Sequence, residues 1–280
     1  MSTSFRDTHI AQHIAFIGGG NMASAIIGGL IREGMPSAQI TVVEPFAETA
    51  AGLLKAYGIQ ALPAAGPALG QADLVVWAVK PQVFSEAAAP VRAHATGALH
   101  LSVAAGIRTD SICRWVGSQR VVRSMPNTPA LVGQGMTALF ACPQVSEAEK
   151  SLVEQVIRTT GQHLWVEQEA QLDAVTALSG SGPAYVFYFL EAMTEAGVGM
   201  GLSAEQAYRL AVATFSGASA LAAASSEPPQ VLRQRVTSKG GTTYAAICSM
   251  EDSGIKAAFV RALQAAEQRA RELGDEFGKA

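Results

Sequence analysis

Two short stretches gather residue types suited to holding small anions. The first, RVTSKGGTTYAAI, runs from Arg235 to Ile247. Its surroundings are rich in Ala, Leu and Val, yet Thr237, Ser238, Lys239, Gly240, Gly241, Thr242 and Thr243 interrupt them before a helical pattern resumes. A plain turn needs a glycine or two, not hydroxyls on both sides of a helix start. Ser238 with the amides of Gly241, Thr242 and Thr243 could receive a carboxylate at the positive end of that helix. Thr242 or Thr243 could equally serve only as a helix cap. The residue types leave both readings open. The second stretch, Gly18-Gly19-Gly20-Asn21-Met22-Ala23, has G-x-G-x-x-A spacing after an apolar run and before a helical one. Gly18 would make the tight turn and Gly20 would admit a diphosphate, with Ala23 keeping helix and sheet close. A dinucleotide is the expected ligand.

Other candidates follow strand-like stretches. Glu44 ends the second run, where an acid takes the ribose hydroxyls of NAD. A solvated strand-end acid is the alternative, and the choice between NADH and NADPH stays open. Lys80, within Val79-Lys80-Pro81, could reach the cofactor or simply extend into water. Asn127, between Pro126 and Pro129, could present a rigid amide to a nicotinamide or be part of a stiffened turn.

These residues need elements to position them. Strand-like patterns at 13–17, 40–43, 72–79, 99–103 and 120–124 alternate with helix-like ones at 21–32, 46–57, 82–91 and 110–115. Gly34 and Gly58 lie just past two of those helices as stop signals. Ser146 and Glu149 form a capping-box pattern for a further helix. Such alternation predicts a parallel, doubly wound sheet. From about Gln171 strand signals stop, and helices are expected over 184–196, from Ser203 to Ala224, and over 255–272. The expected domains are 1–168, binding the dinucleotide, and 169–280, all helical. Small residues such as Ala211, Ala213, Gly217, Ala218 and Ala222 suit close helix approach or merely reflect an alanine-rich composition.

Composition excludes several classes. Charged residues make up 15% of the 280, against roughly 25% in ordinary domains. With net charge −3 there is no basic field for nucleic acid or an anionic membrane. Cys113, Cys142 and Cys248 are scattered, which argues against a disulfide framework and for a reducing, cytoplasmic setting. His9, His13, His94, His100 and His163 do not cluster with acids or thiols, so no metal site or triad is expected. MSTSFRDTHIAQH lacks the pattern of a secretory signal, and no apolar run approaches the ~18 residues of a membrane span.

Taken in order, AFIGGGNMASAIIGGL, AVKPQ, SVAAG, MPNTPALVGQGM, DAVTALSGSGPAYVF and TSKGGTTYAAI resemble the pyrroline-5-carboxylate reductase family, from Ala15 to about Gly254. The resemblance implies a Rossmann-like domain, a helical dimerisation domain with helices interleaved between two subunits, and a ring of five dimers. It implies reduction of a cyclic imine carboxylate to proline, the last step of proline synthesis, by NADPH or NADH. Cofactor contacts would come from Gly18, Gly20, Asn21, Met22, Glu44, Val79, Lys80, Pro81, Ala104, Ala105, Gly106 and Asn127. Substrate contacts would come from Ser181, Ser238, Gly240, Gly241, Thr242 and Thr243, with Thr243 bonding the imine nitrogen. One departure is Lys239, where the family usually has proline; it relaxes the loop and adds a cation, aimed either at the carboxylate or at solvent. The nearest rival, a β-hydroxyacid dehydrogenase, carries a lysine after the interdomain glycines, and Ala184–Leu190 has none. A non-catalytic nucleotide sensor is the rival of a different class.

Overall fold

The computed structural model describes residues 10–278. The expectations for His9 and for the opening nine residues lie outside them. Seven strands form one sheet in the order β2-β1-β3-β4-β5-β6-β7. They are β1 (Ile14–Ile17), β2 (Ile40–Val43), β3 (Leu74–Trp77), β4 (Leu99–Ser102), β5 (Val121–Met125), β6 (Gly135–Ala141) and β7 (Gly161–Trp165). The first five are parallel, joined through α1 (Asn21–Arg32), α2 (Ala47–Tyr57), α3 (Phe84–Arg92) and α4 (Thr109–Val116). Every residue of β1, β3 and β4 is buried; β1 and β3 read as unbroken apolar runs for that reason, while β4 buries His100 and Ser102 alongside its leucines. Gly58 caps α2 in the left-handed region, while α1 ends on Glu33 with Gly34 one place beyond.

The sheet is not wholly parallel. β6 runs antiparallel to β5, with Met125 opposite Ala138. The link between them carries only a 3-10 turn, Thr128–Val132, too little for the crossover that a parallel strand requires. α5 (Glu147–Arg158), with the capping box expected at Ser146 and Glu149, supplies such a crossover, and β7 pairs parallel to β6.

Buried polar groups in the sheet are paired. Arg123 on β5 is 3% exposed; its Nη1 meets Glu169 Oε1 at 3.0 Å, and Glu169 also accepts from the Thr109 amide and hydroxyl. Without that partner a buried guanidinium would be strongly destabilising. Burial pushes the Asp173 carboxyl upward against the pull of Arg123, 3.8 Å away. Cys113 and Cys142, far apart in sequence, place their sulfurs 3.9 Å from each other as buried free thiols.

Two compact units emerge. One extends to Ser181, closing through α6 (Gln171–Val175) and a π-helical turn at Thr176–Gly180, and includes the chain from Ala266 onward. The other is Gly182–Ala265. It contains α7 (Gly182–Gly199), α8 (Ala204–Ala224), α9 (Pro229–Arg235), α10 (Thr242–Asp252) and the start of α11 (Ile255–Phe277). A side chain at Gly197 would lie 2.6 Å from Ala207 Cβ, so small residues let α7 and α8 meet. Ala211 is buried there, whereas Ala213, Gly217, Ala218 and Ala222 are not buried within the single chain. Pro229 starts α9, a helix outside those expected from the sequence, with proline at the position where a missing N–H costs least.

Candidate functional site

β1 lies between β2 and β3, so the chain leaves it to opposite sides and opens a crevice at its carboxyl end. Gly18 sits there with φ +93°, its N–H donating to the Val43 carbonyl at 2.9 Å. A Cβ at Gly18 would be 2.7 Å from the Ala78 carbonyl oxygen, so only glycine fits. Gly20 is different. It caps α1 with no side-chain hydrogen bond, and a Cβ there would meet nothing within 4 Å. The fold itself has no need of glycine at 20; an anion approaching the uncapped amides of α1 does. A dinucleotide diphosphate fits this turn, with Asn21 and Met22 opening the helix behind it.

The neighbouring strand ends converge on the same edge. Val79 Cγ1 lies 3.2 Å from the Gly18 Cβ position, and Lys80 is exposed just before the 3-10 turn Pro81–Val83. Glu44 follows β2 and is 7% exposed; its carboxylate accepts the Gly19 and Phe46 amides, both at 2.8 Å. Ala104, Ala105 and Gly106 follow β4, with Gly106 against Leu273 and Phe277 of α11. Asn127 spends its side chain inside the protein. Its Oδ1 accepts the Met136 amide at 2.9 Å and its Nδ2 donates to Ser179 Oγ at 3.2 Å, tying β5, β6 and the π-helical turn together. Its backbone carbonyl accepts from Ala130, so the stiffened-turn reading describes its contacts in the folded chain. Ser181 closes that turn by donating its amide to the Thr176 carbonyl at 2.8 Å. Sequence reasoning passed over Gly19 and Phe46, whose amides Glu44 accepts, and Leu53, which lies against Gly19; the only signal was a third glycine where the spacing asks for two.

The hydroxylated loop belongs to the helical unit. Gly241 N–H donates to the Ser238 carbonyl at 3.0 Å and Gly240 has φ +75°, the pattern of a type II turn. Lys239 occupies the turn position that favours proline, and it is exposed. A Cβ at Gly241 would be 2.7 Å from Ser238 Oγ, so the serine hydroxyl folds directly over the helix start. α10 begins at Thr242 with Gly241 as its N-cap and no side-chain cap hydrogen bond. The alternative that Thr242 or Thr243 caps the helix is therefore not what the chain adopts. The Gly241 amide is spent on Ser238, and the amides that follow it at the helix start want acceptors that neither threonine hydroxyl supplies at the cap. The loop can take a carboxylate. Among the described residues no cluster of His, Cys, Asp and Glu could hold a metal ion, and no helix is long and apolar enough to cross a membrane.

Known proteins share both halves. Residues 169–273 match the family model described as pyrroline-5-carboxylate reductase dimerisation, and residues 13–106 match NADP oxidoreductase coenzyme F420-dependent. A pyrroline-5-carboxylate reductase from Pseudomonas aeruginosa is 47% identical over 95% of this chain and 98% of its own. The solved pyrroline-5-carboxylate reductase of Coxiella burnetii superposes with a TM-score of 0.87 at 38% identity, covering 94% of this chain and 98% of that one. The Plasmodium falciparum pyrroline carboxylate reductase, solved with NADP bound, gives 0.85 at 27% identity, covering 94% and 98%. The chain belongs to the pyrroline-5-carboxylate reductase family.

Proposed function

We propose that this protein reduces 1-pyrroline-5-carboxylate to L-proline with NADPH or NADH, the last step of proline synthesis, as a cytoplasmic enzyme. The observation that carries the reading is the loop from Ser238 to Thr243, where a helix start without a side-chain cap and the Ser238 hydroxyl meet in an anion-receiving turn. Its acceptor-seeking groups match a substrate whose one fixed charge is a carboxylate.

When bound, the dihydronicotinamide supplies a hydride. The chain's own task is to bind and orient. The Ser238 hydroxyl, the backbone turn at Gly240 and Gly241, and the amides of Thr242 and Thr243 hold the carboxylate, with Ser181 as a further substrate contact. The Thr243 hydroxyl oxygen accepts the N–H of the protonated imine and keeps the ring in place. A protonated imine accepts hydride readily, so good orientation, worth roughly 7–11 kcal/mol of barrier, removes the need for a strong acid or base. The absence of a histidine or paired-acid constellation in the motifs agrees with that. The Gly18–Gly20 turn, Asn21 and Met22 receive the diphosphate, Glu44 borders the adenosine end, and Val79, Lys80, Pro81, Ala104, Ala105, Gly106 and Asn127 line the remainder of the cofactor. We assign 1–168 to the cofactor and 169–280 to substrate and assembly. The helical part pairs two chains, and five such pairs form a decamer.

Replacing Thr243 by Ala tests the assignment. The expected result is a fall in kcat/KM for the imine of about 10²-fold, the usual scale for a positioned proton-sharing group, with NADPH affinity kept within about twofold. Unchanged steady-state constants would contradict the role.

A further inference from the structure

The acid after β2 does work that its position alone does not suggest. We propose that Glu44 is a positioning residue for the glycine turn, not a ribose ligand: its carboxylate ties Gly19 to the start of α2 and so sets the diphosphate seat for NADH and NADPH alike. Both oxygens are committed to the protein. Oε2 accepts the Gly19 amide and Oε1 the Phe46 amide, each at 2.8 Å. The residue is only 7% exposed, which leaves little surface for a sugar hydroxyl. Its backbone is fixed as well, since the Glu44 amide donates to Leu62 and the Leu62 amide returns to Val42, at 2.8 and 2.7 Å. The third glycine follows from the same contact. A Cβ at Gly19 would lie 2.6 Å from Leu53 Cδ1 and 3.4 Å from Glu44 Cγ, so a side chain there would push the turn off the carboxylate. A second tie joins the same two helices: Tyr57 donates its hydroxyl to the Ser24 carbonyl at 3.0 Å, and Ser24 Oγ donates to the Gly19 carbonyl at 3.3 Å. Charge-assisted bonds to buried amides are costly to lose, and an uncharged amide side chain would set a donor against one of the two N–H groups.

The proposal rests on the cofactor reading above and is tested by calorimetric titration of NADH and NADPH into wild type, Glu44→Gln and Gly19→Ala, with steady-state rates beside it. In both variants, affinity for both cofactors should fall together by about tenfold or more, as expected for a lost charge-assisted bond. The ratio of the two affinities should stay near that of wild type, and kcat at saturating cofactor should be retained. A role confined to stability would lower kcat along with the melting temperature and leave cofactor KM in place. Gly19→Ala keeps the acid and shifts only the turn, so it reads the same link if Glu44→Gln does not fold. A Glu44→Gln protein that loses NADH while gaining NADPH, or that binds both as before, would overturn the proposal. Failure of the wild type to bind either cofactor would instead remove the functional reading itself.

Discussion

His100 is decided by its surroundings. It lies in β4 at 1% exposure, and its Nδ1 accepts the indole N–H of Trp77 at 3.2 Å, so the ring is held neutral. Burial, helped by the nearby Arg120, lowers its pKa from 6.5 to about 4. Between those values the unfolded chain takes up a proton that the folded one refuses, so stability falls as pH drops through the window and is untouched above it. The full effect of that lowered value is about 3 kcal/mol. Urea unfolding at pH 7 and pH 4.5 should show wild type losing about 2 kcal/mol more than His100→Gln, whose amide oxygen can still accept from Trp77. Equal losses would contradict this. The contacts of Glu44 and Asn127 are likewise settled by what the fold brings near them. Strand-end position was visible in the sequence, but whether their polar atoms face a ligand or the backbone depends on Gly19, Phe46, Met136 and Ser179, whose proximity only the fold creates.

Elements were legible where burial is complete. β1 and β3 read as apolar runs because both faces are covered, and α1 reads as a helix because Ile26, Ile27 and Leu30 recur on its buried side. β6 and β7 were not legible. β7 alternates exposed and half-buried residues as GQHLW, and β6 follows a proline-rich turn that looks like a ligand loop. Proline likewise concealed α9. α7 and α8 carry a different message. Tyr188 is 69% and Leu221 72% exposed in the single chain, beside Phe187 and Leu210. A helix with apolar residues on its outward side needs a partner, and these residues fall within the stretch matching the dimerisation model. Light scattering at micromolar concentration should give the mass of ten chains; a 29.1 kDa species would contradict the proposed assembly.

At the scale of the molecule, one chain carries the Gly18–Gly20 turn in the unit reaching Ser181 and the Ser238–Thr243 loop in the unit Gly182–Ala265. Neither motif alone names a reaction: glycine turns of this kind serve many dehydrogenases, and a helix start can hold any carboxylate. Their order along the chain, with MPNTPA and SGSGPAY between them, is what the sequence made readable as a family. The two-unit packing was less readable, since a chain shows no mark for where contacts divide; the last turns of α11 count with the sheet because Leu273 and Phe277 meet Gly106. The most direct measurement is the conversion of 1-pyrroline-5-carboxylate by the purified protein, with cofactor oxidation and proline followed together. Catalysis predicts one proline formed for each NADPH or NADH oxidised, and no oxidation without the imine. Cofactor binding with no imine-dependent turnover would contradict it and leave a nucleotide-binding protein that is not a reductase.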